Sequence, residues 1–209
     1  METELNRRPL ETRSRRWAIG LASALVRVGI SPNTISVVSI VFAAAGAALL
    51  VRWPSGLVLL GVAACVQLRL VCNMLDGMVA IEGGRRTPTG GLYNELPDRI
   101  ADSALIVALG FACGVEWLGW AGALAAALTA YIRALGGSFG LAQDFRGPMA
   151  KPHRMFVLTL ACLGAAWCEP ELARKVLLGA AWVITIGSLL TCFTRTWALS
   201  RSLHARGEA

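Results

Sequence analysis

Charge is what this sequence most lacks. Only 16% of its 209 residues are Asp, Glu, Lys or Arg, against about 25% in a typical soluble domain. With 56% hydrophobic residues and a mean hydropathy of +0.58, the chain is too apolar for a soluble globule and for a disordered segment. Histidine occurs twice. The six cysteines (Cys65, Cys72, Cys113, Cys162, Cys168 and Cys192) lie in or beside apolar runs with no CxxC pair. That excludes a zinc or disulfide framework and leaves them as small apolar residues. The Arg-rich N-terminus leads into no short apolar stretch with a small-residue cleavage site, so no cleavable signal is expected.

What is abundant is apolar sequence in runs of about 18–20 residues, the length that crosses a bilayer as a helix. The expected fold is all-α: a six-transmembrane-helix bundle preceded by an N-terminal interfacial amphipathic helix. Residues 1–12 read as a flexible N-terminus and 13–209 as one membrane domain. Within it, an interfacial helix covers 13–30 and spans cover roughly 34–51, 56–80, 92–114, 116–135, 154–168 and 176–197. Trp17, Leu21, Leu25 and Val28 form one apolar stripe of the first helix, with Arg13, Arg16, Ser23 and Arg27 largely elsewhere, a pattern suited to the membrane interface. Ser31-Pro32-Asn33 ends that helix and starts the first span.

The formal charge of +7 follows from the positive-inside rule without invoking nucleic acid. Arg7, Arg8, Arg13, Arg15, Arg16 and Arg27 precede the first span; Arg85 and Arg86 lie between the second and third. Arg146, Lys151 and Arg154 lie between the fourth and fifth, and Arg201 and Arg206 follow the sixth, against Arg52, Arg174 and Lys175 on the other side. The contrast predicts a multi-pass protein of the cytoplasmic (inner) membrane, with both termini and the polar loops on the cytoplasmic side.

Against this apolar background some polar residues stand out. A charge inside a span costs about 2.5–3.5 kcal/mol or more, so such residues are functional candidates. The second span ends with Arg69, Asn73 and Asp76; the third begins with Asn94, Glu95, Asp98, Arg99 and Asp102. A 3.6-residue period puts Asn94, Asp98 and Asp102 on one face with Glu95 beside it. Carboxylates clustered at such depth repel one another, and a divalent cation with all-oxygen ligands relieves that repulsion. Mg²⁺, Mn²⁺ or Ca²⁺ bound by Asn73, Asp76, Asn94, Glu95, Asp98 and Asp102, close to arginines, suggests a diphosphate ligand. The alternative is a structural ion network in which Arg69 and Arg99 neutralise Asp98 and Asp102. Glycines at 77, 83, 84, 90 and 91 favour close approach of a ligand to the backbone.

The stretch Asn73-Met-Leu-Asp76-Gly77-Met-Val-Ala80-Ile81, then Gly90, Asn94 and Asp98, resembles the signature D-x2-D-G-x2-A-R-x8-G-x3-D-x3-D of CDP-alcohol phosphotransferases. The spacing matches without a gap, and the likeness extends to Pro32-Asn33, the interfacial helix and the six-helix layout, so it covers most of the chain. Asn73 and Asn94 replace the first and third Asp, and Ile81 replaces the Arg. A bacterial branch of the family is similar in carrying N-x2-D-G-M with N-E-x2-D-x3-D. A shifted register, with Asp98 and Asp102 as the third and fourth Asp, restores the acidic pair but needs an insertion.

The resemblance implies transfer of a phosphatidyl or other substituted phosphate group from CDP-diacylglycerol or another CDP-alcohol to a small alcohol, with release of CMP. It implies Asp98, or in the shifted register Asp102, as catalytic base, and Mg²⁺ (or Mn²⁺) as cofactor. Gly77, Ala80 and Gly90 would admit the CDP moiety, with Arg85 or Arg86 replacing the missing motif Arg. From the residues themselves, Arg133, Arg146, Lys151 and Arg154 converge as acceptor-binding candidates for an anionic alcohol such as glycerol 3-phosphate or an inositol phosphate. Contact with lipid headgroups explains Arg146 and Arg154 equally. Gly110-Phe-Ala-Cys-Gly114 fits either a homodimer contact or packing within the bundle. Two other classes remain open: a non-catalytic CDP-lipid-binding membrane protein, and a small transporter or channel. Against the latter, the charges gather at one membrane face and no internal repeat is evident.

Overall fold

The computed structural model describes residues 16–81, 83–84 and 88–207, and among them every regular element is an α-helix. The expected flexible stretch 1–12 and the first residues of the expected interfacial helix lie outside the described residues.

Helix α1 (Arg16–Val28) turns its small residues, Ala18 and Ala22, to the bundle and keeps Trp17, Leu21 and Val28 exposed. Most of the apolar stripe thus faces outward, Leu25 alone of the four packing inward, and alanines let the helix lie close to Met74, Leu75, Met78 and Val79. At Gly29, with φ of +88°, the chain reverses as only glycine does cheaply. Ser31 then caps α2 (Pro32–Arg52): its Oγ accepts the Thr34 N–H at 3.1 Å, with Pro32 in the first turn.

A turn through Pro54 and Gly56 leads to α3 (Val58–Ile81), followed by α4 (Gly90–Ala112), α5 (Glu116–Ser138), α6 (Lys151–Ala165) and α7 (Pro170–Gly207). Helix α2 packs along α3 and α4, α5 along α4 and α7, and α6 between α3 and α7. The core joins Leu50, Leu59, Val66, Leu105, Leu109, Leu118, Met155, Leu158 and Leu177. Small residues bring the helices together. A Cβ at Gly110 would stand 2.6 Å from the Gly119 backbone, so α4 and α5 cross at direct backbone contact. Of the two uses open for the Gly110–Gly114 pair, Gly110 serves packing within the chain; Gly114, with φ of +74°, makes the turn into α5.

Among the described residues, four helices are long and apolar enough to cross a membrane: α2, α3, α5 and α7. Helix α4 is long enough but carries Glu95, Asp98, Arg99 and Asp102 in one stretch, and α6 has only 15 residues. Several boundaries differ from expectation: α5 ends at Ser138, α6 at Ala165, and α7 already starts at Pro170. Helix α6 starts at Lys151 rather than near 154, because Pro152 sits where a helix tolerates proline best. Helix α7 runs to Gly207, ten residues past the expected span end, its polar tail tied down by Arg206. That guanidinium donates to the carbonyls of Phe139 and Gly140 at 3.0 Å each, satisfying acceptors left open at the end of α5.

Candidate functional site

The short connection between α3 and α4 makes them antiparallel, so the last turns of one lie beside the first turns of the other. Three buried aspartates result, in three different environments.

Asp76, on α3, accepts a hydrogen bond from Ser36 Oγ of α2 at 2.6 Å on its Oδ2. Its Oδ1 is buried and has no hydrogen-bond partner. Asp98, on α4, is crowded. Asn73 Nδ2 donates to its Oδ1, the Lys151 ammonium meets its Oδ2, and guanidinium groups of Arg69 and Arg99 stand at 3.6 and 3.7 Å. Asn73 therefore supplies a donor where an aspartate would supply repulsion. Asp102, one turn on, has both oxygens engaged: Arg69 Nη2 at 2.6 Å on Oδ1 and Arg154 Nη2 at 2.9 Å on Oδ2. Arg69 and Arg154 are themselves buried.

The basic residues approach from α5, α6 and α7. Arg154 Nη1 also donates to the Met149 carbonyl at 2.8 Å and to Thr129 Oγ1 at 3.4 Å. Arg195 of α7 donates to the Arg146 and Thr129 carbonyls, both at 2.8 Å. Arg133 pairs with Glu95, donates to Gln143 Oε1 at 3.0 Å and lies over the Phe145 ring. Arg146 reaches Asp144 at 3.0 Å and is otherwise exposed. In that loop, burial pushes the Asp144 carboxyl up, but the Arg146 side chain and N–H prevail and hold it below the usual range. Arg133, Asp144, Arg146, Arg195 and Ser202 line a cleft with Leu141 at its wall.

The six residues expected as one ligand set divide on this geometry. Among the described residues, no three of His, Cys, Asp and Glu gather closely enough to hold a metal ion, so the six-residue ligand set does not assemble as such. Glu95 turns to Arg133 of α5, with Arg99 at 3.9 Å, and Asn94 is exposed. Both oxygens of Asp102 are engaged by the buried Arg69 and Arg154. The ion network weighed above, with Arg69 and Arg99 beside Asp98 and Arg69 on Asp102, is present, but it does not include Asp76. Asn73, Asp76 and Asp98 remain as a group, and the unbonded buried oxygen of Asp76 fits a cation as its missing partner.

Of the other candidates, Gly77 and Ala80 are half-buried on α3, and Gly90 opens α4. Arg85 and Arg86 lie outside the described residues. Lys151 and Arg154 reach the aspartates, while Arg133 and Arg146 sit farther along the cleft. Ser36, Thr129 and Arg195 went unnoticed in the sequence. Arg195 had a usable signal, an arginine inside the expected sixth span; Ser36 and Thr129, hydroxyls in apolar helices, had none.

No family model matches the chain. It is 30% identical over 194 residues to the phosphatidylinositol phosphate synthase of Mycobacteroides abscessus, covering 87% of this chain and 83% of that one. It is 33% identical over 174 residues to the archaetidylinositol phosphate synthase of Aeropyrum pernix, covering 82% and 86%. Its fold is similar to that of Mycobacterium tuberculosis phosphatidylinositol phosphate synthase in complex with manganese and citrate. That match has a TM-score of 0.75 at 23% identity, over 87% of this chain and 88% of that one. The form of that enzyme with CDP-DAG bound matches with a TM-score of 0.73 at 24% identity, over 88% and 94%.

Proposed function

This chain belongs to the CDP-alcohol phosphotransferase family, and from that premise we propose that it transfers a phosphatidyl group from CDP-diacylglycerol to a phosphorylated small alcohol, releasing CMP. The single observation that carries this reading is Asp76 Oδ1, buried and unbonded at the meeting of α2, α3 and α4, where a cation would complete it.

Asn73, Asp76 and Asp98 would hold Mg²⁺ or Mn²⁺; the cation, when bound, neutralises the donor diphosphate and eases departure of CMP. The small residues Gly77, Ala80 and Gly90 leave room for the CDP moiety. Asp98 accepts the proton of the acceptor hydroxyl as its oxygen forms a bond to the phosphorus bearing the lipid, and the bond from that phosphorus to CMP breaks. Lys151, Arg154 and Arg195, with Arg133 and Arg146 along the cleft, outnumber the acidic groups they meet, which suits an acceptor bearing a phosphate. Two relatives named for inositol phosphate lipids make an inositol phosphate the first acceptor to try.

The same reading treats 13–209 as one domain and takes α4 and α6 across the membrane as well. Both pack against other helices of the bundle, and Asp98 and Asp102 of α4 are buried there. Helix α6 spans about 22 Å by its rise and is continued by the turn at 166–168. With α1 in the interface, the excess of basic residues on the side of the site puts the site and both termini in the cytoplasm.

The test is CMP release from CDP-diacylglycerol by the purified protein, with Mg²⁺ or Mn²⁺, over inositol phosphate, glycerol 3-phosphate, inositol and glycerol. Release that needs a metal and one phosphorylated acceptor, and is lost in Asp98→Asn, is the expected result. CDP-lipid binding without release for any acceptor would overturn the transfer reaction in favour of a binding protein.

A further inference from the structure

Asp76 is held from a direction the family motif does not contain. Helix α2 begins at a defined place because Ser31 caps it and Pro32 occupies its first turn. One turn on, Ser36 is buried against α3, its Oγ 2.6 Å from Asp76 Oδ2 and 3.2 Å from the Pro32 carbonyl. A hydroxyl has one proton, and the shorter contact to a charged acceptor takes it. The carbonyl of Ser36 is tied in turn by Ser39 Oγ at 2.6 Å.

A free carboxylate turns readily about its last torsion, which has a broad profile. With Oδ2 fixed by Ser36, one orientation remains, and Oδ1 is the atom left without a partner. We infer that Ser36 is a positioning residue: its hydroxyl sets the Asp76 carboxylate so that Oδ1 is presented to a divalent cation. This deepens the metal reading above and rests on it. Groups that orient a ligand in this way matter to metal affinity by about 10–100-fold.

The experiment is a Mn²⁺ titration of the purified protein followed by the electron paramagnetic resonance signal of free Mn²⁺, beside the acceptor KM. Ser36→Ala should weaken Mn²⁺ binding about tenfold with the acceptor KM unchanged. Ser36→Thr, which keeps the hydroxyl, should bind as the parent does. Ser188→Ala, which removes a buried hydroxyl without a partner on α7, should also leave binding unchanged. Should Ser36→Ala fail to fold, Ser36→Cys, a weak donor of similar size, provides the comparison with Ser36→Thr. Parental Mn²⁺ affinity in Ser36→Ala or Ser36→Cys, or weakened binding in Ser36→Thr, overturns the inference alone. A parent chain that binds no Mn²⁺ overturns the metal reading and this inference with it.

Discussion

Asp76 and Asp102 are both buried in the same helix bundle, yet the protein treats them in opposite ways. Asp102 has an arginine on each oxygen, from α3 and from α6. Asp76 has one neutral hydroxyl on one oxygen and nothing on the other. Burying a carboxylate costs several kcal/mol unless it is compensated. A compensated one ties helices together, and an uncompensated one signals a partner that arrives later. Asp76 and Asp102 thus divide according to what already neutralises them.

The strongest way to break this comparison is to remove Asp102. Arg69 already leaves Nε and Nη1 without partners, and the loss of Asp102 would strand two buried guanidinium groups. Asp102→Ala should therefore cost about 3–5 kcal/mol of stability, seen as a large drop in the unfolding midpoint in detergent. A midpoint equal to that of the parent would mean that the triad is no clamp.

Asp76→Asn sharpens the comparison from the other side. The substitution removes a buried charge with no ion-pair partner, so stability should hold or rise slightly, while metal-dependent CMP release falls about 100-fold or more. Loss of stability comparable to that of Asp102→Ala would show that the two aspartates do the same work.

Arg195 comes next in size. It enters the cleft from α7 and ties down the Arg146 carbonyl, so Arg195→Gln should raise the acceptor KM about tenfold, the worth of one charge-assisted contact. Donor KM should stay as it was. Equal effects on both substrates would place Arg195 in the scaffold and not in the acceptor pocket.

How much of this was legible in the chain depends on the range of the interaction. The start of α2 could be read because Ser31 and Pro32 act within one turn. The all-helical character followed from the apolar runs, and the pairing of α3 with α4 from the spacing of Asn73, Asp76 and Asp98. What could not be read is which cation meets which carboxylate. Helical period puts Asp98 and Asp102 on one face and suggests one role for both. Only the approach of α6, which delivers Lys151 to one and Arg154 to the other, separates them. Ser36 was hidden for the same reason: a serine in a run of small and apolar residues has no meaning until α3 is laid beside it.

Glu95 carries the smallest expected effect and tests the same principle at the surface. Period and proximity make it a metal ligand; the geometry hands it to Arg133, half-exposed and one helix away from Asp76. An exposed ion pair contributes about 0–1 kcal/mol, and a group outside the ligand set contributes nothing to metal affinity. Glu95→Gln should therefore shift the unfolding midpoint little and leave the Mn²⁺ concentration for half-maximal activity unchanged. Its mark should appear in the acceptor KM, because Arg133 loses one of the partners that fix it beside the cleft. A several-fold rise in the metal requirement would bring Glu95 back to the cation and erase the distinction between carboxylates that are already neutralised and those that wait for a metal.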